Sequence, residues 1–253
     1  RFGITSRFTP GDAVRIDAIT DDGQYHAWTE INVPQRPFEI ENVDTVTVPL
    51  AQSGYTTEYL RYRITINDRP NETNYYRIVI DKQTTLWGYN HEEGGDDYIY
   101  WTKHSYNFIG REDVVLTDGQ PTTGDDEDNG LFDTAKNIYG VFDDTRFRNT
   151  SYTMTVYNNT KIETGSDSGY FSGMDVIIRL MSITETEYYY LKALNLVDSD
   201  AYDETINEPI KYPSNVHGGT GMVGISTEVT QTIHIISSSH SKGNLAPPVH
   251  VYQ

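Results

Sequence analysis

The chain has 253 residues, with 37 acidic against 19 basic side chains, a formal charge of −18 and no cysteine. That length suffices for one large β domain or two smaller ones, while the charge repels nucleic-acid phosphate and anionic lipid. Without cysteine there is no disulfide framework or thiolate metal site, and the longest apolar runs, such as Val176-Ile177-Ile178, are too short to cross a bilayer.

Twenty Tyr and abundant Thr favour strands over helices, and 20 Gly, 10 Pro and many Asp and Asn predict frequent turns. No basic segment followed by an apolar one opens the chain as a signal peptide would. Residues 1–10 lead into a strand without the turn that normally precedes one, so further sequence is expected upstream. Val14, Ile16 and Ala18 then alternate with Arg15 and Asp17. A second strand over 24–33 runs into Pro34-Gln35-Arg36-Pro37, a candidate boundary. Residues 1–45 are therefore expected to be the C-terminal strands of an N-terminal β-sandwich, and 46–253 a larger one.

Leu60, Tyr62, Ile64 and Ile66 alternate with Arg61, Arg63 and Thr65; after a polar turn at 67–71, Tyr76, Ile78 and Ile80 resume the pattern. Together these two runs read as a hairpin. The densest aromatic stretch follows: Trp87, Tyr89, Tyr98, Tyr100, Trp101, Tyr106 and Phe108 surround a polar loop at 91–97. Trp87, Tyr89, Tyr98, Tyr100 and Trp101 form the candidate partner or ligand surface, because exposed Trp and Tyr dominate interface hot spots. Set against that, strand aromatics are usually packing residues, and half of these are expected to face the core.

The acidic run Asp125-Asp126-Glu127-Asp128-Asn129-Gly130 offers oxygen ligands, yet it fails as an EF-hand loop. Its third position is Glu127 and its twelfth is Lys136, where Asp or Asn and a bidentate Glu are required, so it reads as a solvated loop. Later strands centre on Tyr152-Met154-Val156, Val176-Ile178-Leu180 and Ile233-Ile235. One segment departs from period two. Thr184-Glu185-Thr186-Glu187 has capping-box spacing, and Tyr190, Leu191, Leu194 and Val197 recur every three or four residues. This predicts a helix over 185–197, ended by Asp198-Ser199-Asp200 and plugging one end of a sandwich.

Gly218-Gly219-Thr220-Gly221 lacks the Lys-Ser/Thr of a P-loop and is expected to let the backbone bend or pass close to another strand. The seven histidines show no two-His zinc spacing, and no G-x-S-x-G elbow is present. No catalytic, cofactor-binding or metal-binding residue is therefore assigned, and no cofactor is expected. A carboxylate pair for glycoside hydrolysis is easy to compose from 37 acids and for that reason carries no information. The pattern as a whole predicts an all-β protein of Ig-like β-sandwich architecture with one short helix near 185–197.

Four stretches together resemble the Bacteroidetes surface-lipoprotein family catalogued as domain of unknown function 4249. They are AVRIDAITDDGQYHAWTEINVP from Ala13 to Pro34; Arg63 to Asp68 with Asn74-Tyr75-Tyr76-Arg77; Val141-Phe142-Asp143-Asp144; and Tyr188 to Leu194 followed by Glu208-Pro209-Ile210, Ser214-Asn215-Val216 and Gly218 to Gly224. The last is the most specific, joining a helix, an E-P turn and a glycine series in fixed order. Val223 departs from it, standing where an aromatic is more usual.

The resemblance implies an exported protein on the extracellular face of the outer membrane, touching the membrane only through an N-terminal lipid anchor outside this chain. It further implies a non-catalytic accessory role beside SusC/SusD-like TonB-dependent importers, capturing or presenting oligopeptide or glycan cargo. Two other readings stand beside it: a surface glycan hydrolase using a carboxylate pair, and an adhesin or structural surface protein without a transport role. No catalytic residue carries over from the family.

Overall fold

A computed structural model of the chain describes residues 6–52, 55–90, 97–106, 113–119, 137–159, 170–198 and 210–235. Among these residues, ten strands form three antiparallel sheets, with one helix. β1 (Ala13–Ile19) and β2 (His26–Asn32) make a two-stranded hairpin. β3 (Asn42–Gln52), β4 (Tyr55–Asn67) and β8 (Ser151–Asn159) form a second sheet in the order β3-β4-β8. The third sheet runs β10-β9-β5-β6, from β5 (Tyr75–Asn90), β6 (Asp97–Ser105), β9 (Tyr170–Ser182) and β10 (Thr227–Ile235). Short β7 (Val141–Asp143) pairs with the start of β5, and α1 (Glu185–Val197) follows β9. The chain is all-β and sandwich-like, with its helix at the residues that capping and periodicity predict.

Alternation builds the core. Leu60, Tyr62, Ile64 and Ile66 of β4 and Met154 and Val156 of β8 share one buried cluster with Ile78 and Ile80 of β5, Val176, Ile178 and Leu180 of β9 and Val229 of β10. At about 1.5–3 kcal/mol for each large apolar side chain fully buried, this cluster is the principal stabilising contribution. The coil at 33–41 joins the hairpin to β3.

The expected hairpin of Leu60–Ile66 with Tyr76–Ile80 does not form. β4 pairs with β3 and β8, whereas β5 pairs with β9, β6 and β7. The polar loop between them carries the chain across the core from one sheet to the other. Period two fixes which residues face the core, and that pattern is the same for strands side by side and strands face to face.

A buried polar network closes this crossing. Asp144, fully buried, accepts from the Asn74 backbone N–H at 2.8 Å, from Asn74 Nδ2 at 3.2 Å and from Arg148 Nη2 at 2.9 Å. Asp68, also buried, accepts from Asn149 N–H at 2.8 Å, from Asn74 Nδ2 at 3.2 Å and from the Tyr76 hydroxyl at 3.2 Å. Burial pushes the Asp68 carboxyl above the ordinary carboxylate range, against the pull of the Asn149 N–H.

At the N-terminus of α1, the Thr184 hydroxyl accepts from Glu187 N–H at 3.2 Å, as capping requires. The helix buries Tyr188 and Leu191 against Val141 and Ile183 beside β7. Glu187 lies against Gly224, where a Cβ would come within 2.7 Å of its Oε2. That oxygen is buried without a hydrogen-bond partner among the described residues, and burial pushes the carboxyl up despite the Arg77 charge. Further along, Trp28 N–H donates to His217 O at 3.0 Å and His217 N–H to Trp28 O at 2.8 Å. Gly218, with φ +76°, passes so close to β2 that a Cβ would meet His26 O at 2.2 Å. The glycine series performs the close approach its sequence predicts.

Two outcomes follow for stability. Asp144→Ala, which orphans the Asn74 N–H inside the network, is expected to lower the unfolding free energy by about 3 kcal/mol in urea. Arg148→Ala, whose side chain is 44% exposed, should cost about 1 kcal/mol or less. For Glu187 the folded-state pKa lies above the unfolded one, so its stabilising contribution is complete in acid and lost as pH rises through the folded value. Glu187→Gln is accordingly expected to melt higher than the parent at pH 7, with the gain vanishing near about pH 4.

Candidate functional site

The register of β5 on β6 pairs Leu86 with Trp101, Trp87 with Tyr100 and Tyr89 with Tyr98. Opposite residues share a face, so Trp87 and Tyr100 lie on the outer face of the third sheet, and Leu86 and Trp101 on the inner one. Trp87 is buried at 6% exposure and Trp101 is half-buried, whereas Tyr100 is 47% exposed. Trp87 is thus a packing residue, and of the five candidates only Tyr100 is shown offering an open ring. The backbones of Tyr89 and Tyr98 are paired, but their side chains lie outside the described residues, as do Phe108, the loop residues 91–96 and the acidic run 125–130.

Just beyond β6, Tyr106 is 56% exposed, and its ring stacks on His104 with centroids 6.1 Å apart. His104 lies opposite Gln83, Gln83 opposite Asp175, and Asp175 opposite His234, one residue from each of four strands. His104 Nδ1 is 3.0 Å from buried Asp81 Oδ1, whose other oxygen accepts from Gln83 Nε2 at 2.7 Å. His234 Nδ1 is 2.6 Å from Asp175 Oδ1. A β-bulge between Thr85 and Leu86 separates this polar row from the aromatic pairs. The outer face therefore sets exposed phenol rings beside paired donors and acceptors on a hydrogen-bonded support. Such a surface suits recognition of a partner or a polar ligand.

This row was not readable from sequence. His104 and His234 are 130 positions apart, and each stands in an ordinary alternating strand. Only the order β10-β9-β5-β6 brings them to one face.

At the helix end, a surface depression is lined by Val115, Asp118, Asp143, Thr145 and Arg146. Its carboxylates tie elements together. Asp118 forms an ion pair with Lys192 of α1, and Asp143 accepts from the Tyr188 hydroxyl at 3.2 Å and from Thr145 N–H at 2.9 Å.

The model of one protein family, Domain of unknown function (DUF4249), matches residues 3–232. The chain belongs to this family. A comparison with curated proteins finds no match. Within this DUF4249 chain, Glu208 and Pro209 of the resembling stretches lie outside the described residues, and several of the described residues hold the fold together. Asn74 and Asp144 close the sheet-to-sheet crossing, α1 caps the end beside β7, and Gly218 and Gly224 admit β2 and Glu187 at close range.

The split between packing and exposed aromatics is directly measurable. Trp87→Ala is expected to cost about 3–5 kcal/mol of stability. Tyr100→Ala and Tyr106→Ala should each stay within about 0.5 kcal/mol of the parent by chemical denaturation.

Proposed function

We propose that this DUF4249 protein is a non-catalytic cell-surface accessory lipoprotein of a SusC/SusD-like outer-membrane importer in a Bacteroidetes bacterium. In this reading its N-terminal lipid holds it at the outer membrane, and it helps to capture or present an oligopeptide or glycan. The observation that carries the reading is the outer face of the third sheet. Tyr100 and Tyr106 stand exposed there beside the row of His104, Gln83, Asp175 and His234. Aromatic rings give a docking surface large contact area at small entropic cost. The net charge of −18 adds attraction toward a basic rim on the partner, weakening with salt.

The surface-hydrolase reading rests on Asp118 and Asp143 lining one depression. It is the weaker of the two, because each carboxylate already serves a structural tie. A turnover assay on surface glycans with Asp143→Asn decides it: loss of a measurable hydrolysis would favour the enzyme.

The test of the docking reading is co-purification from outer membranes with a tagged chain. Tyr100→Ala combined with Tyr106→Ala should release importer components while leaving the melting temperature unchanged. Undiminished recovery with the double variant would move the docking surface elsewhere, and recovery of no importer component by the parent would remove the proposal.

A further inference from the structure

Two arginines stand together on the outer face of the second sheet without a counter-charge. Leu60, Tyr62, Ile64 and Ile66 of β4 turn into the core, so alternation turns Arg61 and Arg63 outward, about 7 Å apart along the strand. Arg15, Arg36, Arg69, Arg148 and Arg179 each meet a carboxylate. Among the described residues Arg61 and Arg63 meet none, although the chain carries 37 acidic side chains. Arg61 is half-buried, and its Nε is buried with no hydrogen-bond partner among the described residues. A guanidinium left in this state is unfavourable, and an incoming oxyanion would relieve that cost.

The register surrounds the pair with polar groups of mixed kind. Tyr157 of β8 lies opposite Arg61, and Tyr59 precedes Arg61 by two residues on the same face; both tyrosines are 4% exposed. In the next row Arg63 lies between Asp44 of β3 and Thr155 of β8. In the row after that Thr65 lies between Asn42 and Thr153, and the Thr65 and Thr153 hydroxyls are 3.0 Å apart. Asp44 and Arg63 are exposed and form no ion pair with each other. Each row is about 10 Å wide across its three strands. One small ring-shaped ligand could therefore meet two guanidiniums, one carboxylate and a hydroxyl at once.

We propose that this face binds an acidic sugar, its carboxylate held by Arg61 and Arg63 and its hydroxyls by Asp44 and Thr155. A guanidinium presents its donors as a planar fork that matches a carboxylate in two bonds. Asp44 suits ring hydroxyls and repels a second anionic group, which favours one carboxylate among hydroxyls over a ligand dense in phosphate or sulfate. A peptide is disfavoured, because β4 lies between β3 and β8 and has no free strand edge to offer its amides. The charge of −18 opposes any anion at long range, so a single sugar binds weakly and through direct contact. The site lies on a different sheet from the tyrosine face, and its binding stands whether or not that face docks an importer.

Titration of the chain with D-glucuronate and D-galacturonate over about 0.1–20 mM, followed by amide NMR, tests this. D-glucose, acetate and an N-acetylated tripeptide with a free C-terminus serve as comparisons. At least one uronate should bind, glucose should not, and acetate should bind about tenfold more weakly or less. Arg61→Gln and Arg63→Gln should each weaken uronate binding about tenfold or more. Asp44→Ala should weaken the uronate while leaving acetate no weaker. Arg61→Gln should also keep the melting temperature of the parent, since it removes an unneutralised charge. A parent that binds neither uronate overturns the proposal, as does acetate or the tripeptide binding as tightly as the better uronate. Unchanged uronate affinity in Arg61→Gln with a lowered melting temperature would make Arg61 a packing residue and overturn it as well.

Discussion

Asp144 has no contact with solvent, and a carboxylate in that position is tolerated only when its lone pairs are occupied. Asn74 meets most of this requirement, giving Asp144 both its backbone N–H and its side-chain amide, and the same amide also reaches Asp68. Asp68 in turn takes the Asn149 N–H, which lies on the turn leading into β8. One asparagine between two buried acids thus fixes the loop out of β4, the entry to β5, the exit of β7 and the entry to β8. Networks of this kind contribute uncertain net stability, because desolvation offsets much of the attraction. What they add here is a unique path for the chain between two sheets.

The rest of the sandwich follows from that path. β5 is 16 residues long and has a different task along each part of its length. Its first residues pair with β7 beneath α1, Ile78 and Ile80 enter the core, and Lys82–Asn90 pair with β6. Of the outer-face row only Gln83 stands on that last part, while His104 and Tyr100 stand on the β6 strand paired with it and Tyr106 just beyond. The network end and the recognition face therefore share one strand but not one set of contacts. Damage to the first would propagate to the second through β5, whereas the exposed rings of Tyr100 and Tyr106 lie outside the buried core cluster.

Period two and capping were enough to read most of the elements. The helix is a clear case: Thr184 and the recurrence of Leu191 and Leu194 mark its span, and the capping hydroxyl is where spacing puts it. The crossing from β4 to β5 was not legible, because alternation records burial and says nothing about which sheet a strand joins. The aromatic surface was half legible for a related reason. Leu86 and Trp87 are both buried although they point to opposite faces, so alternation stops reporting exposure along that part of β5. The His-Asp pairs were invisible, since cross-strand proximity is a property of strand order, and strand order depends on a loop closed by Asn74.

How the strand edges are protected separates the surfaces further. β3 places Pro49, which has no N–H to offer, in its outer half, and its exposed Asp44 adds charge. The start of β10 is covered by the 33–41 coil: Arg36 Nε donates to Glu228 O at 3.1 Å, and Thr227 Oγ1 to Gln35 O at 3.2 Å. β2 is bridged by His217. These coverings act on strand edges and leave the rings of Tyr100 and Tyr106 exposed, so edge protection and the tyrosine face use separate parts of the chain.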